Sequence, residues 1–306
     1  MWTQRNIPSR IEHCIEWGLS KFIKFFDSPI EDLKKFLDNK EIYYKLLENE
    51  DTSTSTINKM KIIKKLLEII VENNFDKIIL EAIKKFYEYY IFQIKKLTVE
   101  FPVKYRNQDG TLFWKGSKRF PEVIEFNIDN SNNSNCFNFI KYYSILLARS
   151  INVTINNNDD CIMDIVKKSM LPKYIPPHND IQSREEELKE IDLLKSCLNN
   201  FDVKKIDINQ INPEKLEKDN DLYNHVYFID LCSNLKARNY KIQETDEQKT
   251  KMFAGRLFPT IASTTATIIG LACLQLLTLI TWEDISFVKN CNFNIAFNVY
   301  QFNNPS

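Results

Sequence analysis

Glycine is scarce in this chain. Only five glycines occur in 306 residues, and they form neither a G-x-G-x-x-G nor a G-x-x-x-x-G-K-[ST] pattern. Backbone cradles for phosphate depend on such glycines, so the sequence shows no nucleotide-binding loop of its own. Histidine is scarcer still, with only His13, His178 and His225, which argues against a His-rich metal site. The seven cysteines, Cys14, Cys136, Cys161, Cys197, Cys232, Cys273 and Cys291, are odd in number, and none stands in C-x-x-C spacing. That excludes a fully paired disulfide framework and a zinc knuckle, and it points to a reducing compartment. An excess of either charge is absent too: 41 basic side chains balance 41 acidic ones. Without a net field, nucleic acid is an unexpected partner. The first ten residues have no apolar run and read as no signal peptide.

What the chain has is a sizeable apolar fraction, 43%, arranged at helical spacing over most of its length. Ser9 to Glu12 has the spacing of a capping box, followed by a stripe of Ile11, Ile15, Leu19, Phe22 and Phe26. Ser28-Pro29 opens a second helix. Thr52 to Thr56 reads as a Ser/Thr loop before a third stripe through Ile62, Leu66 and Ile69, and Phe75 to Leu97 gives a fourth. From Pro102 to Phe126, Asp109-Gly110, Gly116 and Pro121 break the pattern among aromatic residues, as in an ordered loop. Asn127 to Asn135 reads as a turn. Helices resume over Phe137 to Ile151, Asp159 to Met170 and Ser183 to Leu198, and Asp221 to Tyr240 reads as an amphipathic helix with Val226, Ile229, Cys232 and Leu235 on its apolar side.

Beyond about Thr250 the texture changes. No charge falls between Leu257 and Trp282, and an alternating Phe/Val/Ile pattern after Phe287 suggests strands. The uncharged stretch is long enough to span a bilayer. Its serines and threonines, together with the lack of aromatic and basic anchors on both flanks, favour a buried core helix and no membrane.

Three blocks carry a family resemblance. The first is Thr3-Gln4-Arg5-Asn6-Ile7-Pro8-Ser9-Arg10-Ile11-Glu12-His13, running on to Trp17. The second is Phe113-Trp114-Lys115-Gly116-Ser117-Lys118-Arg119, followed by Pro121. The third runs from Glu217-Lys218-Asp219 and His225 through Ser233-Asn234-Leu235, Asn239-Tyr240, Lys249-Thr250-Lys251 and Ala254-Gly255-Arg256 to Pro259-Thr260-Ile261-Ala262-Ser263-Thr264-Thr265-Ala266. In this order and spacing the chain resembles the catalytic-cysteine region of ubiquitin-activating enzymes.

The resemblance implies a mainly α fold. Residues 1–250 would be the second catalytic cysteine half-domain. Residues 251–306 would be a short α/β remnant, the C-terminal end of a ThiF-like, Rossmann-type adenylation domain. It implies an enzyme that adenylates ubiquitin with ATP and magnesium, takes it as a cysteine thioester and passes it to a ubiquitin-conjugating enzyme, in cytoplasm and nucleus. The ATP-binding part would lie before Met1 and the fold that recruits the conjugating enzyme after Ser306, leaving no cofactor and no metal in this chain. The family's cysteine aligns immediately before Thr3, where this sequence has Trp2. An indole cannot form a thioester, which needs a thiolate nucleophile. No catalytic nucleophile is therefore expected here, and the chain alone is expected to be inactive. The nearness of its start to this junction favours an artefact of a truncated start over an inactive relic; a non-catalytic helical interaction scaffold is the alternative.

Thr3 and Arg5 flank the missing nucleophile. Arg5 could favour a neighbouring thiolate, or be a solvated arginine beside a capping Thr3. By the resemblance, Thr264 and Thr265 lie near the ubiquitin tail and its adenylate, and locally they suit an N-cap. Cys14 beside His13 invites a Cys–His reading, but helical neighbours point about 100° apart, so Cys14 is expected in the core. His225 is expected to make a structural polar contact. Lys115, Lys118 and Arg119 are expected on a solvated loop held by Trp114.

Overall fold

The computed structural model describes residues 7–48, 52–126, 134–156, 158–174, 184–203, 206–255, 262–282, 284–294 and 299–304; for Ser134, residues 262–265 and Asn294 it describes the backbone only. The turn expected at 127–135 lies largely outside these residues. The chain divides into two compact units, one up to Gly255 and one from Arg256.

The regular structure described in the first unit is mainly helical. Helix α1 (Ile11–Phe22) runs through a π turn, Ile23–Asp27, into α2 (Ser28–Asp38), which has Pro29 in its first turn. Then come α3 (Lys40–Glu48), α4 (Ser53–Glu72) and α5 (Phe75–Phe86). A second π turn, Tyr87–Phe92, leads from α5 into α6 (Gln93–Glu100). After the aromatic loop follow α7 (Ser134–Ser150), α8 (Asp159–Lys168), α9 (Arg184–Asn199), α10 (His225–Asn239) and α11 (Glu247–Ala254).

Two local readings change. The capping box at Ser9 does not form. Helix α1 starts at Ile11 with Arg10 in the cap position and no side-chain cap; His13 Nδ1 accepts the Ser9 N–H at 3.4 Å, the bond a Glu12 carboxylate would have taken. The Ser/Thr run at 52–56 is a helix start, not a loop. Thr52 caps α4 by accepting the Ser55 N–H, and the hydroxyl residues behind it fill the first turn, where N–H groups have no helical partner. The far end of α4 shows the complementary device: Asn73 takes the left-handed conformation at φ 45°, and Asn74 caps α5 through the Asp76 and Lys77 N–H groups.

Helix α10 is the axis of the unit. All of its residues except Tyr227 and Arg238 are buried, so it is covered on every side and is not the amphipathic helix expected. Its polar side chains are matched by partners, with the Asn239 Oδ1 atom left over. Asp230 accepts from the Thr250 hydroxyl at 2.7 Å and from the Asn234 amide at 3.1 Å. Ser233 returns its hydroxyl proton to the Ile229 carbonyl. Asn239 donates to the Tyr90 and Glu122 carbonyls. Helix α1 lies directly against α10 because Gly18 has no side chain. A Cβ there would sit 2.9 Å from the Ile229 carbonyl oxygen and 2.7 Å from the Ser233 hydroxyl. Around this pair an aromatic core assembles. Phe228 packs on Phe26 and Phe139 with ring centroids 5.1 and 5.4 Å apart, and Trp17 meets Tyr89 and Tyr90 edge-on.

The second unit holds α12 (Ala262–Trp282), then β1 (Asn290–Asn294) and β2 (Val299–Asn303), antiparallel with Cys291 opposite Phe302 and Phe293 opposite Tyr300. The fold is thus mainly α with a small α/β piece. Helix α12 is not the buried core helix expected: Ile268, Leu274, Leu277 and Ile280 are all more than half exposed. A helix and one hairpin offer too little surface to cover it. Among the described residues, no helix is long and apolar enough to cross a membrane.

Candidate functional site

Trp2, Thr3 and Arg5 lie outside the described residues. The structure fixes the anchor that follows them. Ile7 and Ile11 pack with Leu97 and Val123 against a cluster of Cys14, Ile94, Ala237, Tyr240 and Ile242. The first described residues after the candidate positions are therefore held at the C-terminal end of α10.

Cys14 is a member of that cluster and is fully buried. Burial pushes its thiol up to about 12, with Lys236 pulling the other way. Cys136 and Cys232 are buried and raised to about 12 for the same reason. A thiol so far above neutral pH supplies almost no thiolate, so none of these three is a nucleophile. His13 does not face Cys14; its Nδ1 is turned to Ser9. Beside Cys14 lies Lys236, almost wholly buried, its ammonium 4.8 Å from the Trp17 ring and 5.2 Å from the Tyr240 ring. Burial brings its pKa down to about 8. Sequence patterning missed this lysine, because no spacing marks the Trp17 ring, distant in sequence, as its partner.

Two further segments pack on this helix, one at its C-terminal end and one along its length. In the loop after α6, Trp114 Nε1–H donates to the Phe101 carbonyl at 2.9 Å, and the Phe101 and Phe113 rings stack at 4.4 Å. The loop is clamped to α10 by the Glu122 N–H on the Asn239 carbonyl, 2.7 Å, and by Arg119 on the Lys241 carbonyl. Lys118 sits 4.3 Å over the Phe113 ring, and Lys115 is exposed. The basic cluster is thus a solvated rim on a loop held by Trp114. The second segment is 241–254. Asn234 accepts the Thr245 N–H and donates to the Thr245 carbonyl, while Thr250, fully buried, is bonded to Asp230. Thr264 and Thr265 stand in the first turn of α12, and their side chains lie outside the description.

His225 is structural. Its Nδ1 accepts the Glu217 N–H at 3.0 Å, which leaves the proton on Nε2 to donate to Glu214 at 2.8 Å. Arg149 pairs with the other Glu214 oxygen and donates to the Tyr223 carbonyl. Burial raises the Glu214 carboxyl, but the bonds from His225 and Arg149 together outweigh it and hold the group below its ordinary value. This knot ties the segment before α10 to α7.

The described residues form no phosphate cradle. Gly18 is spent on helix contact, Gly110 and Gly116 sit at positive φ in the exposed aromatic loop, and neither Gly255 nor Gly270 opens a helix.

Fold and site together define a helical domain built on one buried helix, with the residues from Ile7 onward and an aromatic loop gathered at that helix's C-terminal end and the segment 241–254 packed along it. A profile of the ubiquitin-activating enzyme SCCH domain matches residues 8–251, and the chain belongs to this family. It is 28% identical over 317 residues to "Ubiquitin-activating enzyme E1 1" of Schizosaccharomyces pombe, covering 99% of this chain and 30% of that protein. It is 28% identical over 316 residues to human "Ubiquitin-like modifier-activating enzyme 6", covering 98% and 30%. The mouse "Ubiquitin-like modifier-activating enzyme 1" is 26% identical over 314 residues, covering 99% and 29%. The chain spans about 30% of the length of these relatives.

Proposed function

We propose that this chain is the thioester half-domain region of a ubiquitin-activating enzyme, bearing tryptophan at the nucleophile position and inactive on its own. The observation that carries this reading is the family match from residue 8 to 251, set directly behind Trp2-Thr3-Gln4-Arg5. In the whole enzyme an adenylating module would activate the ubiquitin C-terminus with ATP and magnesium. A cysteine at the position of Trp2 would take ubiquitin as a thioester, and a ubiquitin-conjugating enzyme would remove it by thiol exchange. The half-domain would occupy residues 1–250, and residues 251–306 would belong to the adenylation domain, with Thr264 and Thr265 close to the ubiquitin tail. The place of action would be cytoplasm and nucleus. Arg5 would favour the thiolate form of a neighbouring cysteine. Trp2 also favours a second reading, a helical scaffold with no chemistry.

The test is direct. Incubated with ubiquitin, ATP and magnesium, the chain should form no adduct that dithiothreitol releases. Trp2→Cys, in a chain joined to a family adenylating module, should form one. A reducible adduct on the unaltered chain would overturn the inactivity, and no adduct on the joined cysteine variant would overturn the placement of the nucleophile.

A further inference from the structure

The loop between α6 and α7 is ordered by its own side chains. Phe101 and Phe113 stack at 4.4 Å, and Trp114 meets Phe113 and Phe120 edge-on. Backbone pairing closes the loop. Arg106 and Leu112 form a bridge, the Phe113 N–H donates to the Tyr105 carbonyl at 3.0 Å, and the Asn107 N–H donates to the Thr111 carbonyl at 2.8 Å. Residues 104–106 are thus laid beside 112–113, and a turn closed by the Lys118 N–H on the Lys115 carbonyl follows at once. The sequence motif supplies Lys115, Lys118 and Arg119. The folded loop adds Lys104 and Arg106 to them.

Five cations therefore share one small loop, in a chain whose charges balance overall. None of the five has a carboxylate partner among the described residues. Lys104 and Lys115 are exposed. Lys118 lies 4.3 Å over the Phe113 ring. Arg106 donates to the Gly110 carbonyl at 2.7 Å, and Arg119 donates to the Lys241 carbonyl. Neither a ring nor a carbonyl cancels a charge. The nearby acids are occupied: Asp109 accepts the Thr111 N–H and hydroxyl, Glu100 pairs with Lys96, and Glu122 pairs with Lys241. Elsewhere in the unit lysines are answered, Lys61 by Glu190, Lys85 by Glu88 and Lys141 by Asp159. The loop alone is left with its positive charge uncompensated on a rigid frame.

We propose that this loop receives an acidic segment of another protein, with carboxylates on Lys104, Arg106, Lys115 and Lys118. A guanidinium with one N–H on a carbonyl keeps others for a carboxylate, and the ammonium groups select for negative charge and speed encounter. Val103 and Leu112, 57% and 40% exposed, give an apolar foothold beside the charges. The ring of Phe113 is stacked on Phe101 and covered by Lys118, so it is not the open platform on which nucleic-acid bases stack. Two aliphatic side chains are too little apolar surface to lodge in a bilayer. Glu122 and Arg119 clamp the loop to the C-terminal end of α10, so the occupant stands beside the anchor that Ile7 and Ile11 make there. The proposal does not depend on the thioester reading.

The test uses the full chain and a fluorescein-labelled peptide of about 12 residues, roughly 40 Å long when extended, rich in glutamate and aspartate with two leucines. A control peptide carries glutamine and asparagine in place of the acids. Anisotropy should show the acidic peptide binding and the neutral one failing to bind, with affinity falling as salt is raised. Lys104→Glu with Lys115→Glu should weaken binding roughly tenfold or more. Lys84→Glu with Lys189→Glu, exposed lysines on α5 and α9, should leave it unchanged. Bound peptide should shift the backbone amide resonances of 104–118 in the unaltered chain, a readout independent of how the variants fold. The proposal falls if the acidic peptide shows no binding up to about 1 mM, if both peptides bind alike, if the two double variants behave alike, or if the shifted resonances lie elsewhere. It also falls if a single-stranded oligonucleotide of equal charge, or a vesicle rich in phosphatidylserine, binds more tightly than the acidic peptide, which would make the occupant a nucleic acid or a lipid surface.

Discussion

Helices α10 and α12 reverse the ordinary relation between hydropathy and burial. Helix α10 carries His225, Asp230, Asn234, Lys236 and Asn239, yet every one of these is buried. Helix α12 carries no charge at all, yet Leu274, Leu276 and Ile280 are 59%, 56% and 64% exposed. Burial is decided by what surrounds a helix. Around α10 stand α1, α7 and α11, and its buried polar side chains find partners on the surrounding segments or on the helix itself, with the Asn239 Oδ1 atom the exception. Around α12 its own unit supplies only a short turn and a hairpin. A polar helix can be a core when its groups are paired, and an apolar helix without cover is a surface waiting for a partner.

The sharpest way to break that comparison is to remove bulk from each helix. Phe228 is fully buried among Phe26, Phe139 and Tyr143. Phe228→Ala should destabilise the first unit by about 3–5 kcal/mol, read from urea denaturation followed by circular dichroism. Leu276→Ala should change that transition by no more than about 0.5 kcal/mol, while lowering any self-association of the chain seen in sedimentation. Equal losses from the two substitutions would mean that α12 is covered after all.

The two helical glycines sharpen it with a smaller effect of opposite sign. At Gly18 an added Cβ would meet the Ile229 carbonyl oxygen and the Ser233 hydroxyl inside 3.0 Å. Gly18→Ala should force α1 and α10 apart and destabilise the unit by about 1–3 kcal/mol. At Gly270 nothing lies within 4 Å. Gly270→Ala should instead favour α12 by roughly 0.5–1 kcal/mol through helix propensity, seen as slower amide exchange in 266–274. A neutral Gly18→Ala would show that the α1–α10 contact is looser than its geometry.

Much of this fold is legible in the residues. The apolar spacing gives nearly every helix of the first unit, and Asp109-Gly110 and Gly116 mark the aromatic loop where it stands. The errors have physical causes. Ser9 looked like a cap because the rule sees a carboxylate three residues on and cannot see that His13 reaches the same N–H. Thr52 to Thr56 looked like a loop because hydroxyl residues suit both turns and helix starts. Helix α10 looked amphipathic because Asp230, Asn234 and Lys236 carry no mark that says their partners are Thr250, Thr245 and the Trp17 ring, all distant in sequence. The candidate site was legible only through resemblance: no period or spacing distinguishes Trp2, Thr3 or Arg5 from any other start of a chain.

A last substitution probes why a polar helix tolerates burial. Asp230 is 8% exposed, and its carboxyl is raised to about 6, first by burial and then by Glu247, Asp246 and Glu244, against the bond from Thr250. A folded-state pKa above the unfolded one means that the fold prefers the protonated form. The stability this contributes is complete below the ordinary carboxylate value of 3.8 and is lost as pH rises through about 6. At pH 7.5 the ionised group therefore weakens the docking of 241–254 on α10. Asp230→Asn keeps an oxygen for the Thr250 hydroxyl and removes the charge. It should be about 1 kcal/mol more stable than the unaltered chain at pH 7.5 and nearly equal to it at pH 4, with the difference growing between pH 4 and 7. Urea midpoints measured across that range give the curve. A variant less stable at pH 7.5 would mean that the charged Asp230–Asn234–Thr250 network outweighs desolvation, and that α10 holds its polar residues by attraction to charge and not merely by pairing them.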